Sequence, residues 1–287
     1  FYEKLKQKIV VAGKSENTLR CYCSHMAKLA LHFNQIPTDV DPDQINDYLY
    51  LVKREHNTPS DSYFKFTVYG LRFAYRVEGM KDKRIELPEI KHEKKLPVIL
   101  SRQEVKRLLN APKLLKHKIL LALLYGCGLR CFEVRSLKRS DLDFDRSQLH
   151  VRNGKGKKDR YVPLSPMLIR GLQSYIEVEQ PQTWLFNGKE QPINGRSGGD
   201  FDSRYSQRGV QWAVRQAVKE AGIIKDVSVH TLRHTYATHL LEEGLDIMTI
   251  KDLLGHECID TTLIYLHVAQ SGRVKPFSPL DLLYEKK

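Results

Sequence analysis

Between Gln148 and Leu164 the apolar period switches from that of a helix to that of a strand. Gln148 to Arg152 and Arg160 to Leu164 alternate apolar and polar residues on either side of the tip Asn153-Gly-Lys-Gly-Lys157. Side chains of a strand alternate faces, so this pattern predicts a β-hairpin. Most of the remaining apolar residues recur at three and four, the spacing of one helix face. The pattern predicts a mainly α fold with a small β-sheet, an α+β class.

The first eighty residues predict a helical bundle. Leu19, Tyr22, Met26, Leu29, Ala30 and Phe33 form one stripe behind Asn17 and Thr18, which can cap it. Pro37 to Pro42 breaks the chain, and apolar stretches follow at Ile45 to Val52 and Tyr63 to Val77. Residues 81–97, KDKRIELPEIKHEKKLP, are dense in charge, hold Pro88 and Pro97, and predict a basic linker.

A second domain is expected over residues 98–287. Ser101-Arg-Gln-Glu104 is a capping-box pattern. The apolar helix Ile119 to Tyr125 runs into Gly126-Cys-Gly128. After a Gly-rich loop at Asn194 to Gly199, Val210, Val214, Ala217, Val218 and Ala221 share a face, with Gly222 as the stop. Three short helices are expected at Thr235 to Glu243, Ile247 to Leu254 and Thr261 to Val268.

Lys and Arg number 47 against 34 Asp and Glu, a formal charge of +13. Such an excess suits a polyanionic partner, because each neutralised phosphate releases counterions. The five cysteines are odd in number and lack C-x-x-C spacing, so they read as reduced thiols of an intracellular, cytoplasmic protein. No apolar run approaches the roughly 20 residues that cross a bilayer, and no signal-peptide pattern is seen.

Five segments hold polar residues that a plain helical core does not need. They are Gly126-Cys-Gly-Leu-Arg130-Cys-Phe-Glu133, Gly154-Lys155-Gly156, His230-Thr-Leu-Arg233-His234, Leu253-Leu-Gly-His256, and Tyr265 nine residues beyond His256. Cleaving a phosphodiester without a metal needs charge on two non-bridging oxygens, and planar guanidinium groups match these bidentately. It also needs an attacking oxygen and an acid for the leaving oxygen. Two arginines, a lysine, histidines and a tyrosine suffice. The acidic cluster that two Mg²⁺ ions demand is missing from these segments. His230 and His234 could hold zinc, but a metalloprotease needs Glu after the first His, where Thr231 stands.

The segments GLRCFEV, GKGKKDR-x-VPL, HTLRHTYATHLLEEG, LLGH and TTLIYLHV resemble, in order and spacing, the tyrosine recombinase (phage integrase) family. The likeness is to its Xer and integron-integrase branch, and covers Leu100 to Val268. It implies a helical core-binding domain followed by a catalytic domain. Tyr265 would attack the scissile phosphate and become joined to the 3′ end, while Arg130 and Arg233 clamp the non-bridging oxygens. Lys155 would protonate the leaving 5′ oxygen, and His230 and His256 would position the phosphate and assist proton transfer. Lys157, Lys158 and Arg160 are expected as DNA contacts. Glu133 is expected to hold a basic group, and His234 to support from behind.

The resemblance further implies no cofactor or metal, and double-stranded DNA with a specific site as partner. For an integron-like enzyme the partner would be structured single-stranded DNA. A homotetramer would exchange strands through a Holliday junction, with the tail 269–287 docking on a neighbour. The chain as given leaves no room for the arm-binding domain of large phage integrases, unless a trimmed start removed it, and the spacing from Lys155 to His230 is too short for the integron insertion, so the Xer-like reading leads. Two other functions fit parts of the pattern: a type IB topoisomerase, and a non-catalytic DNA-binding protein on the same scaffold.

Overall fold

The computed structural model describes residues 1–55, 61–80, 82–85, 96–152, 159–192 and 201–269, with backbone only at 55, 61, 62, 189–192, 201 and 202. The chain forms two compact units, Phe1–Lys94 and Lys95–Lys287.

The first unit is built from α1 (Tyr2–Val11), α2 (Glu16–Phe33), α3 (Pro42–Glu55) and α4 (Asp61–Glu78). The cap of α2 is Ser15 rather than Asn17 or Thr18: its hydroxyl accepts from the Thr18 amide at 3.2 Å. Helix α1 was not foreseen, because only Leu5 and Ile9 of its ten residues are buried. Leu29, Ile45, Leu49, Phe64, Val68, Leu71 and Tyr75 form the main core. Each such side chain contributes roughly 1.5–3 kcal/mol by leaving water.

Part of the expected linker belongs to this core. Ile85 is 1% exposed and packs with Phe64 and Tyr75. Its carbonyl accepts from Arg72 Nε at 2.9 Å and Nη2 at 2.6 Å. Dense charge hid Ile85, which anchors the described part of this stretch. Residues 86–95 lie outside the described residues.

The second unit opens with α5 (Arg102–Asn110), α6 (Leu115–Gly126) and α7 (Cys131–Arg135). Both halves of the Ser101–Glu104 capping box form. Leu120, Leu121, Leu123 and Leu124 are all fully buried, so α6 is a central helix wrapped on several sides. The chain then forms a three-stranded antiparallel sheet from β1 (Leu142–Asp143), β2 (Gln148–Val151) and β3 (Arg160–Pro163). Leu149 pairs with Val162 and His150 with Tyr161. The hairpin tip, residues 153–158, is outside the described residues.

Next come α8 (Pro166–Glu179), an antiparallel pair β4 (Asn187–Pro192) and β5 (Phe201–Arg204), and α9 (Gln207–Glu220). The expected Gly-rich loop falls outside the described residues. The described residues end in α10 (Val229–Glu242), α11 (Ile247–Leu254), α12 (Asp260–Leu263) and a 3-10 turn, Ile264–His267. Helix α10 begins six residues before the sequence reading put it, capped by Ser228. His230 and Arg233 are therefore helical. Among the described residues, no helix is long and apolar enough to cross a membrane.

Candidate active site

The site is built around the C-terminal end of α11. The carbonyls of its last turn have no partner within the helix, and they carry the negative end of its dipole. Three successive carbonyls each accept from a different arginine. Leu253 takes Arg160 Nε at 2.7 Å, Leu254 takes Arg233 Nη2 at 2.5 Å, and Gly255 takes Arg130 Nη2 at 3.1 Å. Gly255 sits at φ 62° in the left-handed region, which reverses the chain and leads directly to His256. A Cβ there would lie 3.2 Å from the Arg160 side chain.

Glu133 binds the same arginines from the other side. It is 4% exposed and sits in the first turn of α7. Its oxygens accept from the Arg130 amide and Nη1, both at 2.8 Å, and from Arg160 Nη1 and Nη2 at 2.9 and 2.8 Å. Arg233 Nη1 stands 3.9 Å away. Burial alone would raise the Glu133 pKa, but the Arg160 hydrogen bonds and charge, followed by Arg130, outweigh it and hold it at about 2. One carboxylate thus faces three guanidinium groups, and the excess positive charge suits an anion.

Arg233 is 3% exposed. Besides Leu254 it donates to the Gly128 carbonyl at 2.6 Å. Gly128 has φ 58°, and a Cβ there would come within 2.4 Å of the Tyr236 ring. Only glycine allows this approach, which places the carbonyl under Arg233. Burial and then Arg130 lower the Arg233 pKa to about 9, still high enough to keep the guanidinium charged at neutral pH.

His230 and His234 lie on one face of α10 with Arg233, by their i, i+3, i+4 spacing. His230 is exposed. Its pKa is lowered by desolvation, then by Arg233 and Arg130. Tyr265 is 1% exposed, and its hydroxyl is 3.0 Å from His234 Nδ1. Burial raises its pKa against the opposing pull of Arg233 and Arg130. The His256 ring stacks beside Tyr265, with centroids 6.5 Å apart and planes at 16°. His256 Nδ1 is 2.8 Å from the Thr262 hydroxyl. Burial, then Arg233 and Arg130, push its pKa down to about 3, so it is neutral at neutral pH.

The structure therefore brings Arg130, Arg233, His234, His256, Tyr265 and Glu133 together, with the exposed His230 on the same face of α10 as Arg233 and His234. Lys155, Lys157 and Lys158 lie outside the described residues. Arg160 differs from its expected place on DNA. Its side chain is 9% exposed, and Nε, Nη1 and Nη2 all bond within the protein. Its strand position faces the α11 terminus, a tertiary fact that a run of basic residues conceals. The sequence reading also missed the α11 carbonyls and Thr262. The Leu-Leu-Gly-His segment carried the signal, since Gly after a helix leaves carbonyls open to donors. Among the described residues, no group of three His, Cys, Asp or Glu side chains is placed to hold a metal ion.

Comparison with known proteins agrees with this scaffold. The model of the phage integrase family matches residues 98–271. An integrase/recombinase of Sinorhizobium fredii, y4qK, is 34% identical over 284 residues, covering 98% of this chain and 88% of that protein. The tyrosine recombinase XerA of Thermococcus kodakarensis is 34% identical over 268 residues, covering 93% and 90%. A crystal structure of XerA recombinase matches with a TM-score of 0.54 at 29% identity, over 94% of each chain. One of the XerH site-specific recombinase bound to its palindromic difH substrate shares the fold, with a TM-score of 0.69 at 21% identity over 88% of this chain and 76% of that one.

In class, the chain is a tyrosine recombinase. It belongs to the phage integrase family, and its relatives fit the Xer-like branch.

Proposed function

We propose that this enzyme recombines DNA at specific sites, with Tyr265 as its nucleophile. The Tyr265 oxygen attacks the scissile phosphorus, and the bond from phosphorus to the 5′ oxygen breaks. A 3′-phosphotyrosine and a free 5′ hydroxyl result. The reverse attack by another strand's 5′ hydroxyl restores the phosphodiester and releases Tyr265. Arg130 and Arg233 bind the non-bridging oxygens. Lys155 gives its proton to the leaving oxygen.

The observation that carries this reading is the convergence of Tyr265, Arg130, Arg233, His234 and His256 at the end of α11. A phosphate placed there meets fixed positive charge in a partly dry setting, where electrostatic stabilisation is strongest. The neutral His234 can accept a hydrogen bond from the phenol, and the neutral His256 can hold the phosphate. Arg160 and Glu133 position the arginines and do not touch DNA.

The finer assignments belong to the same proposal. The first unit binds the DNA site, four protomers assemble on two duplexes, and the tail 269–287 docks on a neighbour. Lys157 and Lys158 meet backbone phosphates. The protein works on DNA in the cytoplasm.

Trapping the covalent intermediate tests the reading. The protein is incubated with a library of nicked duplexes whose cleavage releases a short fragment, with EDTA present. A denaturant-resistant protein–DNA band is expected, and Tyr265→Phe should lose it. A band that persists in Tyr265→Phe would assign the nucleophile elsewhere.

A further inference from the structure

Helix α10 carries two stripes of polar side chains, and only one belongs to the site above. His230, Arg233 and His234 form the first. Thr231, Thr235 and His239, at i, i+4 and i+8, form the second, and all three are buried. A polar group buried in a helical core costs stability unless it is bonded.

The partners of the second stripe come from two other segments. The Leu100 amide donates to Thr235 Oγ1 at 3.1 Å, and that hydroxyl donates in turn to the Thr231 carbonyl at 2.8 Å. His239 Nδ1 lies 3.0 Å from the Tyr125 hydroxyl, with the two rings edge to face at 82°. The His239 ring also hydrogen-bonds the Leu100 backbone. Burial lowers the His239 pKa against the pull of Glu242, so the ring is neutral at neutral pH. Burial raises that of Tyr125, so the phenol keeps its proton. A neutral imidazole has one acceptor and one donor. Nδ1 accepts from the phenol, which leaves Nε2 to donate to the Leu100 carbonyl.

Tyr125 lies in the last turn of α6, directly before Gly126-Cys-Gly128 and Arg130. That segment is therefore tied to α10 at two places, by the Gly128 carbonyl on Arg233 and by Tyr125 on His239. Arg233 and His239 stand six residues apart, roughly 9 Å along the helix axis. One bond would let α10 pivot about it. Two at that separation fix both its slide and its rotation, and Leu100 adds a third point from outside α6.

We propose that His239 is a positioning residue for the reaction: joined to Tyr125 and Leu100, it holds α10 so that Arg233 and His234 stand in register with Arg130. At 8% exposed it acts through α10 rather than on the phosphate. This role rests on Tyr265 as the nucleophile.

The test uses the full chain and the nicked duplexes of the trapping experiment, with protein in excess and below the melting transition of every variant. Tyr125→Phe, His239→Leu, the double variant and His239→Asn are compared with the parent. The Asn side chain can keep an acceptor near the place of Nδ1. Single-turnover cleavage rate, duplex Kd and Tm are measured for each. We expect the rate to fall roughly 10–100-fold in His239→Leu, with Kd within about twofold of the parent. Tyr125→Phe should be slowed in the same direction, and the double variant should be no slower than His239→Leu, because the bond is lost only once. His239→Asn should recover most of the rate. Tyr125→Phe keeps its ring, so it decides the matter even where His239→Leu fails to fold. A lowered Tm with parental rates would overturn the proposal and leave a packing role. So would a Kd that rises in step with the slower rate, or losses that simply multiply in the double variant. A covalent band that survives in Tyr265→Phe would overturn the nucleophile reading and this role with it, and it would be seen with His239 untouched.

Discussion

His234 Nδ1 lies 3.0 Å from the Tyr265 hydroxyl, so the proposed nucleophile already has an acceptor facing it. Burial keeps the phenol protonated at neutral pH. Burial, then His230 and Arg233, lower the His234 pKa, so that ring is neutral and can accept. We expect His234→Phe, which preserves bulk but removes the acceptor, to slow formation of the covalent complex by roughly 10²–10⁴-fold. Single-turnover cleavage of a nicked duplex measures it. A rate within about twofold of the parent would reduce His234 to a packing role.

His256 gives the fold a predictable acid limb. Its folded-state pKa of about 3 lies below the unfolded value of about 6.5. Between those two values the unfolded chain binds a proton that the folded chain does not, so stability falls as pH drops from 6.5 toward 3. The slope from this one group is at most about 1.4 kcal/mol per pH unit. His256→Gln keeps a partner for Thr262 and removes the titration. Denaturant unfolding from pH 7 to pH 4.5 should therefore be less pH-dependent in the variant, and parallel curves would contradict the assignment.

Glu133 compensates charges that would otherwise repel across the α11 terminus. Removing one partner of a buried ion pair costs roughly 3–5 kcal/mol, mostly from the charge left behind. We expect Glu133→Ala to lose stability on that scale, by denaturant midpoint, and to lose covalent-complex formation with it. Its depressed pKa of about 2 means that the network contributes fully above the unfolded carboxyl value, and is lost progressively as pH falls from there through about 2. A small loss, under about 1 kcal/mol, would show that Arg130 and Arg160 find other partners.

Much of this was legible in the sequence because it is local. The Ser101–Glu104 box, the β2–β3 alternation and the Gly stops after α9 and α11 each lie within a few residues of what they control. Helix α8 was equally legible and was passed over: Ser165 caps it, Pro166 starts it, and Leu168, Leu172 and Tyr175 form its buried face. Polar sequences with little apolar alternation concealed β4 and β5. The grouping of Arg130, Arg233, His256 and Tyr265 came from motif spacing, while their partners did not. Arg160 looked like its basic neighbours because nothing within ten residues reveals a carbonyl at Leu253, 93 positions away.

Three glycines with nearly equal φ separate strain from crowding. Gly222 at 62° has nothing within 4 Å of a built Cβ, Gly255 at 62° has Arg160 at 3.2 Å, and Gly128 at 58° has the Tyr236 ring at 2.4 Å. Left-handed strain alone makes Gly222→Ala cost roughly 1 kcal/mol. Gly255→Ala should exceed it, since Arg160 is held by Glu133 and the Leu253 carbonyl and must give by a few tenths of an ångström. Gly128→Ala should cost most, and should also reduce cleavage, because the carbonyl that holds Arg233 must move. Unfolding midpoints give the order, and Gly128→Ala no worse than Gly222→Ala would mean that Tyr236 gives way freely.

Arg160 offers the sharpest contrast between an internal and a DNA-facing cation. Its three bonded nitrogens hold Glu133 bidentately and close the α11 terminus, a geometry that a lysine ammonium cannot reproduce. Arg160→Lys keeps the charge and should still cost stability, by roughly 1.5–3 kcal/mol for the charged hydrogen bonds lost. Arg160→Gln removes the charge. A residue that neutralises a DNA phosphate contributes about 0.9 to the slope of log binding constant against log salt, and its neutral variant loses that share. Because Arg160 faces inward, Arg160→Gln should leave the slope for non-specific duplex unchanged while lowering stability and cleavage. A slope reduced by close to one unit, with stability intact, would return Arg160 to the DNA surface.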